Sequence, residues 1–268
     1  MTLKKWTALA LALLIPTSAM AHRTWFLPSS TVLSGDDVWV TVDAAAANEV
    51  FYFDHRPLRL EDLVIAAPDG SSVEPQNMAE GRLRNSFDLN LKQQGTYRVS
   101  LVSDGVFAFY KVNGEQKRWR GQASEIETAI PKDAEDVRIS ESARRVDTFV
   151  TVGAPTDETV KTSGKGLEIE YGVHPNDLFA GETASFRLLM NGKPAKGVVV
   201  SVIRDGIRYR NALNEMKVTT GDDGSFDVTW PEAGMYWLNA TMESKETSVP
   251  RSSGSRAGYT ATLEVLPQ

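Results

Sequence analysis

An all-β fold built from two immunoglobulin-like sandwiches is what this sequence predicts, and three observations carry the prediction. Short runs rich in Val, Thr, Phe, Tyr and Trp alternate with clusters of Gly, Asp, Asn and Pro, the pattern of half-buried strands separated by turns. The runs fall into two groups divided by a charged, strand-poor stretch. The chain has 268 residues; without an N-terminal leader about 247 remain, enough for two domains that each bury a core.

The leader comes first. Lys4 and Lys5 precede an apolar run over 7–15, and Ala19-Met20-Ala21 is a small-x-small site, so residues 1–21 read as a signal peptide cleaved after Ala21. The expected location is the periplasm. The apolar run is about ten residues, where a spanning helix needs roughly 20, so no membrane span is expected after cleavage. With no cysteine anywhere in the chain, disulfides, thiolate metal sites, cysteine nucleophiles and lipoprotein anchoring are all excluded.

The first sandwich is expected over 22–112, with strands at 24–27, 38–43, 50–53, 63–65, 86–91, 96–103 and 106–112. Ser103-Asp104-Gly105 supplies a hairpin turn between the last two. Residues 113–166 read as a charged linker with helical turns at 124–130, stopping before Pro131, and at 140–145, then one strand at 148–152. The second sandwich, 167–268, has strands at 167–171, 184–190, 198–204, 216–219, 225–230, 235–242 and 259–266. Asn191-Gly192 and Gly221-Asp222-Asp223-Gly224 are its turns, and 244–256 reads as a long mobile loop.

Net charge is −6 for the whole chain, and loss of Lys4 and Lys5 with the leader takes it to −8. That excludes a basic nucleic-acid binder. A Gly-x-Ser-x-Gly nucleophile elbow is absent in any strand-to-helix context. The Gly221–Gly224 turn lacks the ligand spacing and terminal Glu of a calcium loop. Lys117-Arg118-Trp119-Arg120 offers a stacking or anion-binding patch, although such a basic run is usually solvated surface.

The three histidines carry the chemistry. Cleavage after Ala21 makes His22 the first residue, so an α-amine and an imidazole on one residue can chelate a transition metal. His55 follows the aromatic run Phe51-Tyr52-Phe53, and His174 lies in Tyr171-Gly172-Val173-His174-Pro175; a proline follows each closely and places both at strand ends. His22 with His55 or His174 would give a three-nitrogen, histidine-brace set suited to Cu, Ni or Co and not to calcium or magnesium. Asp54, Glu168 and Glu170 are the candidate supporting carboxylates.

Ala21-His22-Arg23-Thr24-Trp25-Phe26-Leu27-Pro28 and Tyr171-Gly172-Val173-His174-Pro175-Asn176-Asp177-Leu178 resemble the DUF4198 proteins, often described as periplasmic components of cobalt or nickel uptake. The resemblance spans nearly the whole mature chain and matches His22 and His174; His55 comes from position and histidine scarcity alone. It implies a transthyretin-like second sandwich, seen in Gly192-Lys193-Pro194-Ala195 and Asp223-Gly224-Ser225-Phe226. The expected function is a periplasmic accessory protein, not an enzyme, that binds or delivers a transition-metal ion, with envelope metal-uptake components as partners. Two alternatives stand beside it: a module binding a non-metal envelope partner, and a copper redox enzyme using Trp25, Trp39 or Trp119 as a substrate face.

Overall fold

The computed structural model describes residues 22–268 apart from 248 and 250; the expected signal peptide lies outside the described residues. Three sheets form. The first runs in the order Arg23–Pro28, Val38–Ala47, Asn85–Leu91, Gln76–Glu80, with Arg56–Pro57 beside the end of Val38–Ala47. The central sheet runs Met216–Thr219, Val199–Arg204, Gly234–Ser244, Ser252–Val265, Glu135–Val152, Gly95–Val112, Leu63–Ala66. The third pairs Thr183–Met190 with Leu167–Tyr171, Lys193–Pro194 and Ser225–Thr229.

The two sandwiches share the central sheet, joined where Glu135–Val152 lies parallel to Ser252–Val265. Alternation along Glu135–Val152 explains how one strand serves both. Val146, Val150 and Val152 face the first sheet and pack with Phe26, Val42 and Phe87. Arg145, Asp147 and Phe149 point the other way, and Phe149 joins the core formed with the third sheet around Phe186, Trp230 and Tyr259. The side-chain period of two thus places a separate hydrophobic layer on each face.

An all-β sandwich architecture is therefore present, with local departures from the expected elements. Residues 135–147, expected to be linker and helical turn, belong to an 18-residue strand. Its charged residues misled because one face is half open to solvent and the other holds a buried ion pair. Residues 103–105 do not turn: Gly95–Val112 runs straight through them, because both Ser103 and Gly105 are held in register against Glu135–Val152. The hairpin comes instead at Asn113-Gly114, with φ of 52° and 79°, the left-handed pair that a tight two-residue turn requires. Glu115–Gly121 then returns antiparallel along Val106–Val112. Residues 50–53 form a loop and not a strand, and Ser252–Val265 takes up part of the expected 244–256 loop. The helix at Ile126–Ala129 does stop before Pro131.

Candidate metal centre at the N-terminal edge

Val38–Ala47 ends in four alanines, Ala44 to Ala47, all fully buried. Small side chains are needed there because both faces of the strand are covered and strands flank both edges. On one edge Arg23 and Thr24 pair with Ala47 and Ala46; on the other, Arg56 pairs with Ala46. His22 and His55 each lie one residue before those pairings, so two distant parts of the sequence reach the same sheet end.

Local packing fixes both approaches. Trp25 is buried against Phe51 and Phe53, with ring centroids 5.5 and 5.3 Å away, and the 48–55 loop wraps around it. Phe51 adopts φ of 57°, and the Asp54 carboxylate closes the loop by accepting the Asn48 N–H at 2.9 Å. The Trp237 indole N–H donates to the Thr24 carbonyl at 3.0 Å, and the Arg23 guanidinium lies over the Trp237 ring at 5.8 Å. These contacts tie the first strand to the central sheet immediately after His22.

The His22 and His55 imidazoles stack, with centroids 3.6 Å apart and planes 5° from parallel. Both residues are exposed. An imidazole lone pair lies in its ring plane, so two stacked rings reach one ion only after one of them turns; exposed side chains have the rotamer freedom to do so. Among the described residues no group of three or more His, Asp or Glu side chains is placed to hold a metal ion. Two imidazoles are supplied here, and a third nitrogen would have to come from the His22 α-amine freed by cleavage. The donor set fits a copper- or nickel-class ion and offers nothing to calcium.

His174 does not join them. Its Nδ1 accepts the Asn176 N–H at 3.1 Å, which leaves Nε2 to face the Thr156 carbonyl at 3.3 Å and the Thr96 hydroxyl at 3.0 Å. Thr96 also meets Thr151, nine residues along Glu135–Val152 from Ser142, which lines the cleft beside His22. At about 3.3 Å per strand residue, Thr151 and Ser142 are roughly 30 Å apart, which keeps His174 well away from His22. Burial pushes the His174 pKa below its ordinary value, outweighing the Thr156 carbonyl and the charges of Asp157 and Asp177. It is a neutral, hydrogen-bonded histidine that holds the junction between the sandwiches.

The expected supporting carboxylates are committed elsewhere. Asp54 is the loop clasp described above. Glu168, fully buried, accepts from the backbone N–H groups of Ser163, Gly164 and Lys165, and Glu170 pairs with Arg187 at 2.9 Å. At the Gly221–Gly224 turn Asp223 accepts from Ser225 and Asp222 pairs with Lys196. Trp25 is buried in the core and Trp119 packs beside the short helix, so neither offers an open aromatic face next to His22. The sequence reading did not single out Arg56, Arg144 and Arg256 near His22. Their signal was the alternation Ser140, Ser142, Arg144, Val146, which reads as a strand whose inward face turns from polar to apolar.

No helix of the described residues is long and apolar enough to cross a membrane. The profile of a family described as "Domain of unknown function (DUF4198)" matches residues 19–244. No curated protein matches the chain. Among solved structures, the D0-D1 domain of intimin is 11% identical, covering 90% of this chain and 97% of that one, with a TM-score of 0.24. The FN1-FN3 domains of chicken CNTN1 are 5% identical, covering 91% and 99%, also with a TM-score of 0.24. A marsupial T cell receptor is 11% identical, covering 92% and 74%, with a TM-score of 0.21.

Proposed function

The chain belongs to the DUF4198 family, whose description names no activity, and from its own N-terminal edge we propose that it is a periplasmic accessory protein that binds a transition-metal ion for uptake or delivery. The ligands are the His22 α-amine and imidazole together with the His55 imidazole, and the ion is copper, nickel or cobalt. The observation that carries this reading is the 3.6 Å approach of two of the chain's three histidines at the predicted cleavage point. Amine and imidazole of one residue close a chelate ring, and His55 reaches across the end of Val38–Ala47 to complete a three-nitrogen set. Both residues sit at the exposed edge of a rigid sheet, where an ion can be taken up and handed on.

Intact mass of the exported protein establishes whether His22 is its first residue. Calorimetric titration with Cu(II), Ni(II) and Co(II) should then show one site in the mature protein, weakened when the His22 α-amine is acetylated or when His55→Ala removes the second ring. Affinity unchanged by both alterations would place any bound metal elsewhere and end this reading.

A further inference from the structure

Where the first sheet ends, the face of Glu135–Val152 that carries Val146 and Val150 farther along is left uncovered, and a cleft of about 370 Å³ opens over it. Ser103 and Ser142 contribute to its walls, and a smaller cavity of about 110 Å³ continues over Ser142 and Gly258 toward His22. Small residues on the sheet leave the space to guanidinium groups. Arg144, Arg120 and Arg256 project from that same face: Arg256 is directly opposite Ser142, and Arg120 is opposite Phe107, itself opposite Ser140. Arg56 enters from the first sheet, directly after His55.

Two of these charges are unpaired. Arg144 and Arg56 make no hydrogen bond or ion pair among the described residues. Arg120 rests over the Phe107 ring at 5.3 Å, and Arg256 has only a loose 3.8 Å contact with Glu243. Desolvation in the cleft, then the positive charges of Arg256, Arg120 and Arg56, pull the Arg144 pKa below its ordinary value. Glu61, Asp62 and a further cation, Arg59, also line the larger cleft. In a chain of net charge −6, four exposed guanidiniums line two adjoining cavities, Arg56 and Arg120 in the larger, Arg256 in the smaller and Arg144 in both, and together they present a concentrated seat for an anion.

We propose that this cleft binds a small organic anion bearing two or more carboxylates, seated on Arg144 and flanked by Arg56, Arg120 and Arg256. Its size favours this class: small-molecule pockets commonly span about 300–1,000 Å³, and the arginines are spread around the cleft instead of gathered on one oxyanion. Guanidinium forks take carboxylates two hydrogen bonds at a time. Because the cavity continues to His22, the anion would lie beside the proposed metal ligands, as an organic chelator of that metal would. The inference does not rest on the metal reading, since the anion site is made of arginines alone.

The test is calorimetric titration of metal-free mature protein with citrate and, separately, with inorganic phosphate. Citrate should bind with an affinity that falls with added salt and that drops roughly tenfold or more in Arg144→Gln, the loss expected for a charge-assisted bidentate contact. Lys196→Gln, outside the cleft, should leave it unchanged. If Arg144→Gln fails to fold by circular dichroism, Arg120→Gln decides in its place. Absence of citrate binding, equal affinity in the folded arginine variant, or phosphate binding as tightly as citrate would overturn the proposal. Citrate binding by a protein that takes up no metal would leave it standing while removing the metal reading.

Discussion

Either side of Val146, Glu135–Val152 treats polar residues in opposite ways. On the C-terminal side Asp147 is fully buried and holds Arg98 at 2.5 Å, while its other oxygen accepts the Ser100 hydroxyl at 2.6 Å. Burial works against the Arg98 charge, but the attraction and hydrogen bond of Asp147, together with the nearby Tyr259 and Tyr171, outweigh it and hold the Arg98 pKa well above its ordinary value. His174, nearby, has both ring nitrogens engaged. On the N-terminal side Arg144 has no carboxylate, its pKa is displaced downward, and His22 and His55 touch each other without hydrogen-bond partners of their own among the described residues. Closed hydrogen-bond sets mark residues that hold the sandwiches together; open ones mark groups available to a ligand.

Breaking the closed side should have the largest effect on stability. Asp147→Ala leaves the Arg98 guanidinium buried without its partner, which costs about 3–5 kcal/mol; urea denaturation of the variant should show that loss, and a change under about 1 kcal/mol would erase the contrast. Trp237→Phe removes the hydrogen bond to the Thr24 carbonyl, and should cost about 0.5–1.5 kcal/mol. The variant should also expose the amides of residues 23–25 to faster hydrogen exchange.

A smaller effect separates His174 from the other two histidines. Its folded pKa is depressed, so as pH falls below the unfolded value of about 6.5 the unfolded chain takes up a proton that the folded chain refuses, and stability falls. Above that pH the contribution is flat. His174→Gln should flatten the slope between about pH 6.5 and 5, measured by midpoints of urea unfolding at each pH, whereas His55→Ala should leave it in place.

Much of the fold was legible because strand alternation and turn chemistry act locally. The strand at 216–219 matches the sequence reading residue for residue, and Asn191-Gly192 turns as its composition demands. What failed was the centre. Glu135–Val152 carries Arg144, Arg145 and Asp147 within four residues, which reads as solvated linker, yet a charge facing an open cleft and a charge buried in an ion pair are both compatible with a strand. Ser103-Asp104-Gly105 has turn chemistry, but pairing along its whole length with Glu135–Val152 overrides it, while the stronger Asn113-Gly114 signal was passed over. At the candidate site, histidine scarcity and the cleavage point led to His22 and His55. Nothing local could separate His55 from His174, since both read in the sequence as strand ends before a proline; only the pairing of Arg23 and Arg56 on either side of Ala46–Ala47 brings one of them to the N-terminus.

The contrast rests finally on whether the open side takes a ligand at His22. Titration of Cu(II) or Ni(II) into protein beginning at His22, compared with the same protein acetylated at its α-amine, tests this most directly. The amine must be deprotonated to bind, and its ordinary pKa is about 7.7–8.0, so the titration is best run at pH 8 and repeated at pH 6, where affinity should fall. A single site in the free-amine protein, weakened at least roughly tenfold by acetylation, is the predicted result. Equal affinity in the two proteins would contradict it and make His22 an ordinary first residue.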